Sequence, residues 1–352
     1  MNFGSDNATG ASDSVLAAIQ EANQGTTAGY GADQWTDRAH NRLEEVFESE
    51  LDAYFVATGT AANTLALASM VQPWESILCH AESHVANDES TAPEFMTGGA
   101  RLVPLSAGHG KLETADLEHY FATAGTLVPH NSKVAALSLT QSSELGMVYT
   151  PDEIAGLTQV AQNNGARVHM DGARFANAVA AIGCSPAELS WQAGVDVLCL
   201  GATKCGALAA EAVIFFNKKL ADGFIHRRKR SGHLLSKGRL FGAQFEGWLK
   251  DNHWLELASH ANAMAGTLAF QLQQMQGVRM AWPAQANEIF AIIPDDLHNR
   301  LSASGAVYYE WPATALADHD RLEPGEVLIR LVTSFETHPE EIAQFVDTAS
   351  RK

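Results

Sequence analysis

Positive charge is what this chain has least of. Against 41 acidic residues stand 23 Lys and Arg, a formal net charge of −18 over 352 residues. A surface of that sign repels nucleic acid and anionic membranes, so neither is expected as a partner. Long apolar runs are missing too: nothing approaches the ~18 uninterrupted apolar residues of a membrane span. The opening MNFGSDNATG lacks the basic and apolar parts of a secretion signal. Cysteine is scarce, and Cys79, Cys184, Cys199 and Cys205 form no CxxC pair. That argues against a disulfide framework or a zinc site and fits the reduced thiols of a cytoplasmic protein. No GxGxxG lies between a strand and a helix, so a nicotinamide-binding turn is not expected. What is present, 46% hydrophobic against 18% charged residues, suffices for a sizeable core. The combination points to a soluble enzyme acting on small molecules.

Short apolar runs alternate with helix-period segments, the pattern of an α/β fold with a mainly parallel sheet. Strands are expected at Asp52–Val56, Ser76–Cys79, Arg101–Leu105, Val134–Thr140, Arg167–Met170, Val195–Leu200 and Ala212–Phe216. Helices are expected over 33–48, over Ala61–Met70, and over Pro151–Asn163 behind a Thr-Pro-Asp-Glu start. The character then changes. A long helical stretch, Trp254–Gln276, precedes short strands at Glu288–Ile293, Ala306–Trp311 and Glu326–Val332, and a last helix begins near Pro339. The expected division is a large domain over 1–254, including the N-terminal segment, and a small C-terminal α+β domain over 255–352.

Three segments carry chemistry. Val195-Asp-Val-Leu-Cys-Leu-Gly-Ala-Thr-Lys204 is an apolar strand running into a small-residue loop with one lysine. Burial lowers a lysine's pKa and frees its amine to form a Schiff base, although a loop lysine facing solvent reads the same. Arg167-Val-His-Met-Asp171 is a second apolar strand, ending in a carboxylate. Strand carboxyl ends form the ligand crevice of open α/β sheets. An Asp there can hold a protonated pyridine nitrogen, as pyridoxal phosphate (PLP) requires, or it can cap the next helix. Ala57-Thr-Gly59-Thr60-Ala-Ala-Asn63 opens an Ala-rich helix with Gly and hydroxyl groups, a setting that suits a phosphate. The three together, in this order, are far more specific than any one.

Met170-Asp-Gly-Ala-Arg174, Gly201-Ala-Thr-Lys204, Thr58-Gly-Thr-Ala-Ala-Asn63 and Ser5-Asp-Asn7 resemble the threonine aldolase and β-eliminating lyase group of fold-type-I PLP enzymes, most of all low-specificity L-threonine aldolases. The resemblance spans nearly the whole chain and includes Tyr30-Gly-Ala-Asp33. It implies that Lys204 carries PLP, Asp171 pairs with the pyridine nitrogen, Arg174 lies near the ring oxygen and His84 stacks on the ring. Gly59, Thr60 and Thr203 would hold the phosphate, with Lys229 and Lys237 as further candidates from the basic stretch 226–239. Ser5 and Arg330 would bind the substrate carboxylate, with Tyr30 in the substrate set. His130 would face the substrate hydroxyl, often across a subunit boundary. The implied reaction is retro-aldol cleavage of L-β-hydroxy-α-amino acids to glycine and an aldehyde. Its base is His84, His130 or a water between them. No metal is implied, and the implied assembly is a homotetramer with shared sites. The alternative is a β-eliminating lyase that makes an α-keto acid and ammonia. One departure stands out: where many members carry Glu-Asn-Thr, this chain reads Gln141-Ser-Ser-Glu144.

Overall fold

A computed structural model describes residues 1–106, 108–123, 127, 129–316 and 321–351. Seven strands form the large sheet: β1 (Asp52–Val56), β2 (Ser76–His80), β3 (Arg101–Leu105), β4 (Val134–Thr140), β5 (Arg167–Gly172), β6 (Val197–Gly201) and β7 (Glu211–Phe215). Their order is β1-β7-β6-β5-β4-β2-β3, and β7 alone runs against the rest. Strands β2, β4, β5 and β6 are fully or almost fully buried. This burial explains their unbroken apolar runs, since helices cover both faces of a parallel sheet.

The helices are α1 (Asp13–Ala22), α2 (Gln34–Phe47), α3 (Gly59–Met70), α4 (His84–Asn87), α5 (Ala92–Thr97), α6 (Thr114–Thr123), α7 (Pro151–Asn163), α8 (Phe175–Ile182), α9 (Phe224–Arg230), α10 (Arg239–Leu249), α11 (His253–Gln273), α12 (Asp295–Ala303) and α13 (Pro339–Ser350). Helix α3 is buried on nearly every side, as its Ala and Leu content requires. Thr150 and Glu153 close a capping box at the start of α7, the signal read from the sequence there.

A second, antiparallel sheet has the order β10-β11-β9-β8, with β8 at Arg279–Met280, β9 at Glu288–Pro294, β10 at Tyr309–Glu310 and β11 at Glu326–Val332. The strand expected over 306–311 shrinks to β10, because Val307 instead bridges in parallel to Asn2. The N-terminal segment is laced into this second unit. The Phe3 N–H donates to Val307 O at 2.8 Å, and the Val332 N–H donates to Phe3 O at 2.8 Å. Phe3 is fully buried, edge-on to Phe345. Among the described residues no helix is long and apolar enough to cross a membrane.

Candidate active site

The carboxyl ends of β1, β2, β4, β5 and β6 and the amino end of reversed β7 open on one edge of the large sheet, where open α/β sheets bind ligands. A cavity of about 270 Å³ lies there. Thr58, Gly59 and Thr60 enter it after β1, His84 after β2 and Glu144 after β4. Asp171 comes from the end of β5, Thr203 and Lys204 from the turn after β6, and Glu211 from the start of β7.

The phosphate-type corner is a helix start. The Thr58 hydroxyl accepts the Ala61 N–H at 3.1 Å, and the Thr58 carbonyl accepts the Ala62 N–H. Gly59 and Thr60 keep their first-turn N–H groups without an intrahelical acceptor, at the positive end of a buried helix. At the other end of the cavity Asp171 is held rigidly. Its Oδ1 accepts the Ala173 N–H at 3.0 Å and its Oδ2 accepts Asn63 Nδ2 at 2.8 Å. A half-buried lysine, a fixed carboxylate, a helix-start anion site and an imidazole thus share one cavity near the small end of the ~300–1,000 Å³ usual for ligand pockets. This set of groups fits PLP. Lys204 would meet the aldehyde carbon, Asp171 the pyridine nitrogen, and Gly59, Thr60 and Thr203 the phosphate.

His84 is tied into this arrangement from behind. Its Nδ1 lies 2.9 Å from Glu89 Oε1, so the carboxylate assigns the proton to Nδ1 and leaves Nε2 as the basic nitrogen. Asn63 donates to Glu89 Oε1 at 2.9 Å with the same amide that binds Asp171. One asparagine therefore bridges the carboxylate behind His84 and the carboxylate for the ring nitrogen. The hydrogen bond that His84 donates to Glu89 raises the His84 pKa against the effect of burial, helped by the charges of Asp171 and Glu144. Burial pushes Glu89 itself up, although His84 and Asn63 pull it down. Behind Asp171, burial lowers His169 to about 4, which keeps that imidazole neutral.

A row of alternating charges flanks the cavity. Arg174 grips Asp6 bidentately, Nε to Oδ2 at 2.7 Å and NH2 to Oδ1 at 3.1 Å, and reaches Glu288 at 3.4 Å. Arg330 NH1 is 3.9 Å from the same Glu288, and its guanidinium lies 4.6 Å over the Trp311 ring. Burial would raise Asp6, but Arg174 and Lys204 overcome it and hold the carboxyl below its usual value. Burial pushes Glu288 up to about 7 against the pull of both arginines.

The structure gathers Lys204, Asp171, Gly59, Thr60, Thr203 and His84 around one cavity. Arg174 stands one residue behind the lining residue Ala173, with its fork turned to Asp6 and Glu288. Arg330 sits beyond Glu288, with NH2 3.5 Å from Gly4 O. The Ser5 hydroxyl caps the Asn7 N–H at 3.1 Å, and Asn7 lines the cavity. Besides Ser5, Arg174 and Arg330, which flank the cavity, four expected residues (Tyr30, His130, Lys229 and Lys237) lie away from its lining. Tyr30 is exposed beneath Lys229 Nζ, 5.0 Å from its ring, on a loop bonded to Ser236. Lys237 is exposed on that same stretch. His130 precedes β4 and lines a separate hollow with Trp74 and Arg101, at the amino edge of the sheet. A strand of five to seven residues at ~3.3 Å each separates that edge from the cavity.

Sequence reading gave no role to Asn63, Glu89, Glu144, Glu211 or Glu288. Faint signals existed. Asn63 and Glu144 fall within segments already singled out, Glu89 stands five residues past His84, and Glu211 is a lone carboxylate heading the apolar run Ala212–Phe216.

A carboxylate at the end of one parallel strand and a lysine on the turn after its neighbour, with a helix-start anion site in the same cavity of a seven-stranded sheet, define the fold-type-I class of PLP enzymes. The description of the matching family model is Beta-eliminating lyase, over residues 2–295. The chain belongs to that family. It is 42% identical over 307 residues to the low specificity L-threonine aldolase of Pseudomonas aeruginosa, covering 87% of this chain and 88% of that protein. It is 40% identical, with the same coverage, to the low specificity L-threonine aldolase of a Pseudomonas species. The solved threonine aldolase of Leishmania major superposes with a TM-score of 0.92 at 29% identity, over 99% of this chain and 98% of that one. A serine palmitoyltransferase of Sphingomonas wittichii shares the fold at 18% identity, with a TM-score of 0.71.

Proposed function

We propose that this chain is a PLP-dependent aldehyde-lyase that cleaves L-β-hydroxy-α-amino acids, of the L-threonine, L-allo-threonine or phenylserine type, into glycine and an aldehyde. The observation that carries the reading is Lys204 opposite Asp171 in one cavity, in a chain 40–42% identical to proteins named for that activity. When bound, PLP supplies an electron-withdrawing ring for the bond that breaks. Lys204 holds the cofactor, Asp171 keeps its nitrogen protonated, and the N–H groups of Gly59 and Thr60 with the Thr203 hydroxyl take the phosphate. Arg174 is locked on Asp6 and Glu288 and flanks the ring-oxygen side. Arg330, with Ser5, receives the substrate carboxylate; its fork suits that anion and Glu288 aims it. His84 stacks on the ring, and its Nε2 takes the β-hydroxyl proton directly or through a water.

His130, Tyr30, Lys229 and Lys237 act in a neighbouring subunit's site within a homotetramer. Their exposed positions outside this chain's cavity support that reading. The four unpaired thiols support a cytoplasmic setting. Purified protein given L-threonine should release glycine and acetaldehyde in equal amounts. Ammonia and an α-keto acid would show the β-eliminating reaction instead. The Lys204→Ala variant should lose the visible absorption band of the lysine-bound cofactor, and a colourless but active wild type would overturn the assignment.

A further inference from the structure

Two ionisable groups in the cavity, Glu144 and Glu211, have no part in that mechanism, and Glu211 is the more buried of them. Glu211 begins β7, pairs in register with Gly201 and Val56, and stands between the segment leading to Thr58 and the turn bearing Lys204. It is 7% exposed, and its carboxylate is packed so closely that a Cβ on Gly201 would lie 3.0 Å from Oε2. It shares the cavity with Thr203, whose hydroxyl accepts the Ala210 N–H at 3.1 Å, one residue before Glu211. Thr203 is also the residue assigned to the phosphate, so two anions would share a cavity of about 270 Å³.

We propose that Glu211 is a proton-coupled partner of the cofactor phosphate: it takes up one proton from solvent as the phosphate binds and remains a neutral carboxylic acid in the loaded site. This rests on the function proposed above. An ionised carboxylate beside a phosphate dianion is expensive in a closed site, whereas the neutral acid presents an O–H that donates to a phosphate oxygen. The surroundings are balanced for such a change. The charged and titratable groups facing Glu211 are Lys204 on the turn after β6, which favours its anion, and Asp171 on β5, which disfavours it. Cys199 on β6 also senses it. With burial as the largest cause, Glu211 is raised to about 7 before any ligand enters.

The sign is definite. Uptake of a proton on binding makes affinity fall as pH rises above 7, by up to about tenfold per pH unit. The phosphate's own second ionisation, near pH ~6, favours binding in the opposite direction. The test uses the full-length protein stripped of cofactor and titrated with pyridoxamine 5′-phosphate, which cannot condense with Lys204. Dissociation constants and proton uptake, the latter from calorimetry in two buffers of different ionisation heat, are compared between wild type and Glu211→Gln at pH 6.5 and 8.5. The wild type should lose at least about tenfold more affinity than the variant over that range and take up close to one more proton at pH 8.5. Glu211→Ala should flatten the slope in the same way, and Glu211→Asp should restore it. Equal slopes and equal proton counts would overturn the proposal. Absence of any binding at either pH would instead overturn the PLP reading beneath it.

Discussion

Asn63 has two amide hydrogens and two carboxylates to give them to, Glu89 and Asp171. At the scale of single residues this makes Glu89 a positioning group: it fixes which His84 nitrogen is basic and how basic it is. Glu89→Gln keeps the shape and removes the charge, so the His84 pKa should drop. The acid limb of the kcat/KM profile should move to lower pH, and kcat/KM at neutral pH should fall about tenfold or more, within the ~10²–10⁴ that a positioned base contributes. The visible cofactor band should stay. A profile that keeps its limb while losing amplitude would reduce Glu89 to a packing role. Lys204 and Asp171 were legible in the sequence because each stands at the end of an apolar strand, where a charge is conspicuous. Glu89 was not, because its place five residues past His84 is too faint a mark. Its meaning depends on Asn63, 26 positions away, and on burial that only the fold supplies.

At the scale of elements, the strands of the large sheet and helices α2, α3, α7 and α11 follow from apolar runs and caps, while the helices between them do not. Helices α1 and α10 do not stand out, and α10 contains Gly242 and Gly247, which weaken a helical pattern. The structure shows their purpose. A Cβ at Gly242 would lie 2.4 Å from Thr36 N and 2.6 Å from Trp35 C, and one at Gly247 would lie 2.8 Å from Ser14 O. Glycine lets α10 press its backbone against both α1 and α2, and that seats Gln244 where its Oε1 accepts from Leu208 and Ala209, beside the Lys204 turn. Gly242→Ala raises helix propensity yet should destabilise the protein by about 1–3 kcal/mol through overpacking, read from urea unfolding. A neutral or stabilising result would show that α10 moves away without cost.

At the scale of the whole molecule, an acidic protein has buried two carboxyls, Glu211 and Glu288, whose pKa values rise to about 7. Each keeps its proton after the unfolded chain has lost its own, so the folded state loses ground as pH climbs from the ordinary glutamate value of 4.5 to about 7, and no further above that. In cofactor-free protein, the stability of wild type relative to Glu211→Gln should therefore fall between pH 5 and 7.5, by at most about 3 kcal/mol. Parallel stabilities across that window would contradict it. The division of labour between the two sheets was legible as a change of pattern after α10. The return of the N-terminal segment to the second sheet was not, because Asn2 and Phe3 find their partners some 300 positions later. That pairing sets an order of events during synthesis. At about 5–20 residues per second, the segment around Phe3 waits roughly 15–60 s for Val307 and Val332 to be made. Throughout that interval a phenylalanine destined for full burial waits for its partners, and Arg330 of the charge row is still to be made. The ribosome thus delivers a nearly complete sheet long before it delivers a finished charge row, and the catalytic edge closes only when the two ends of the chain meet.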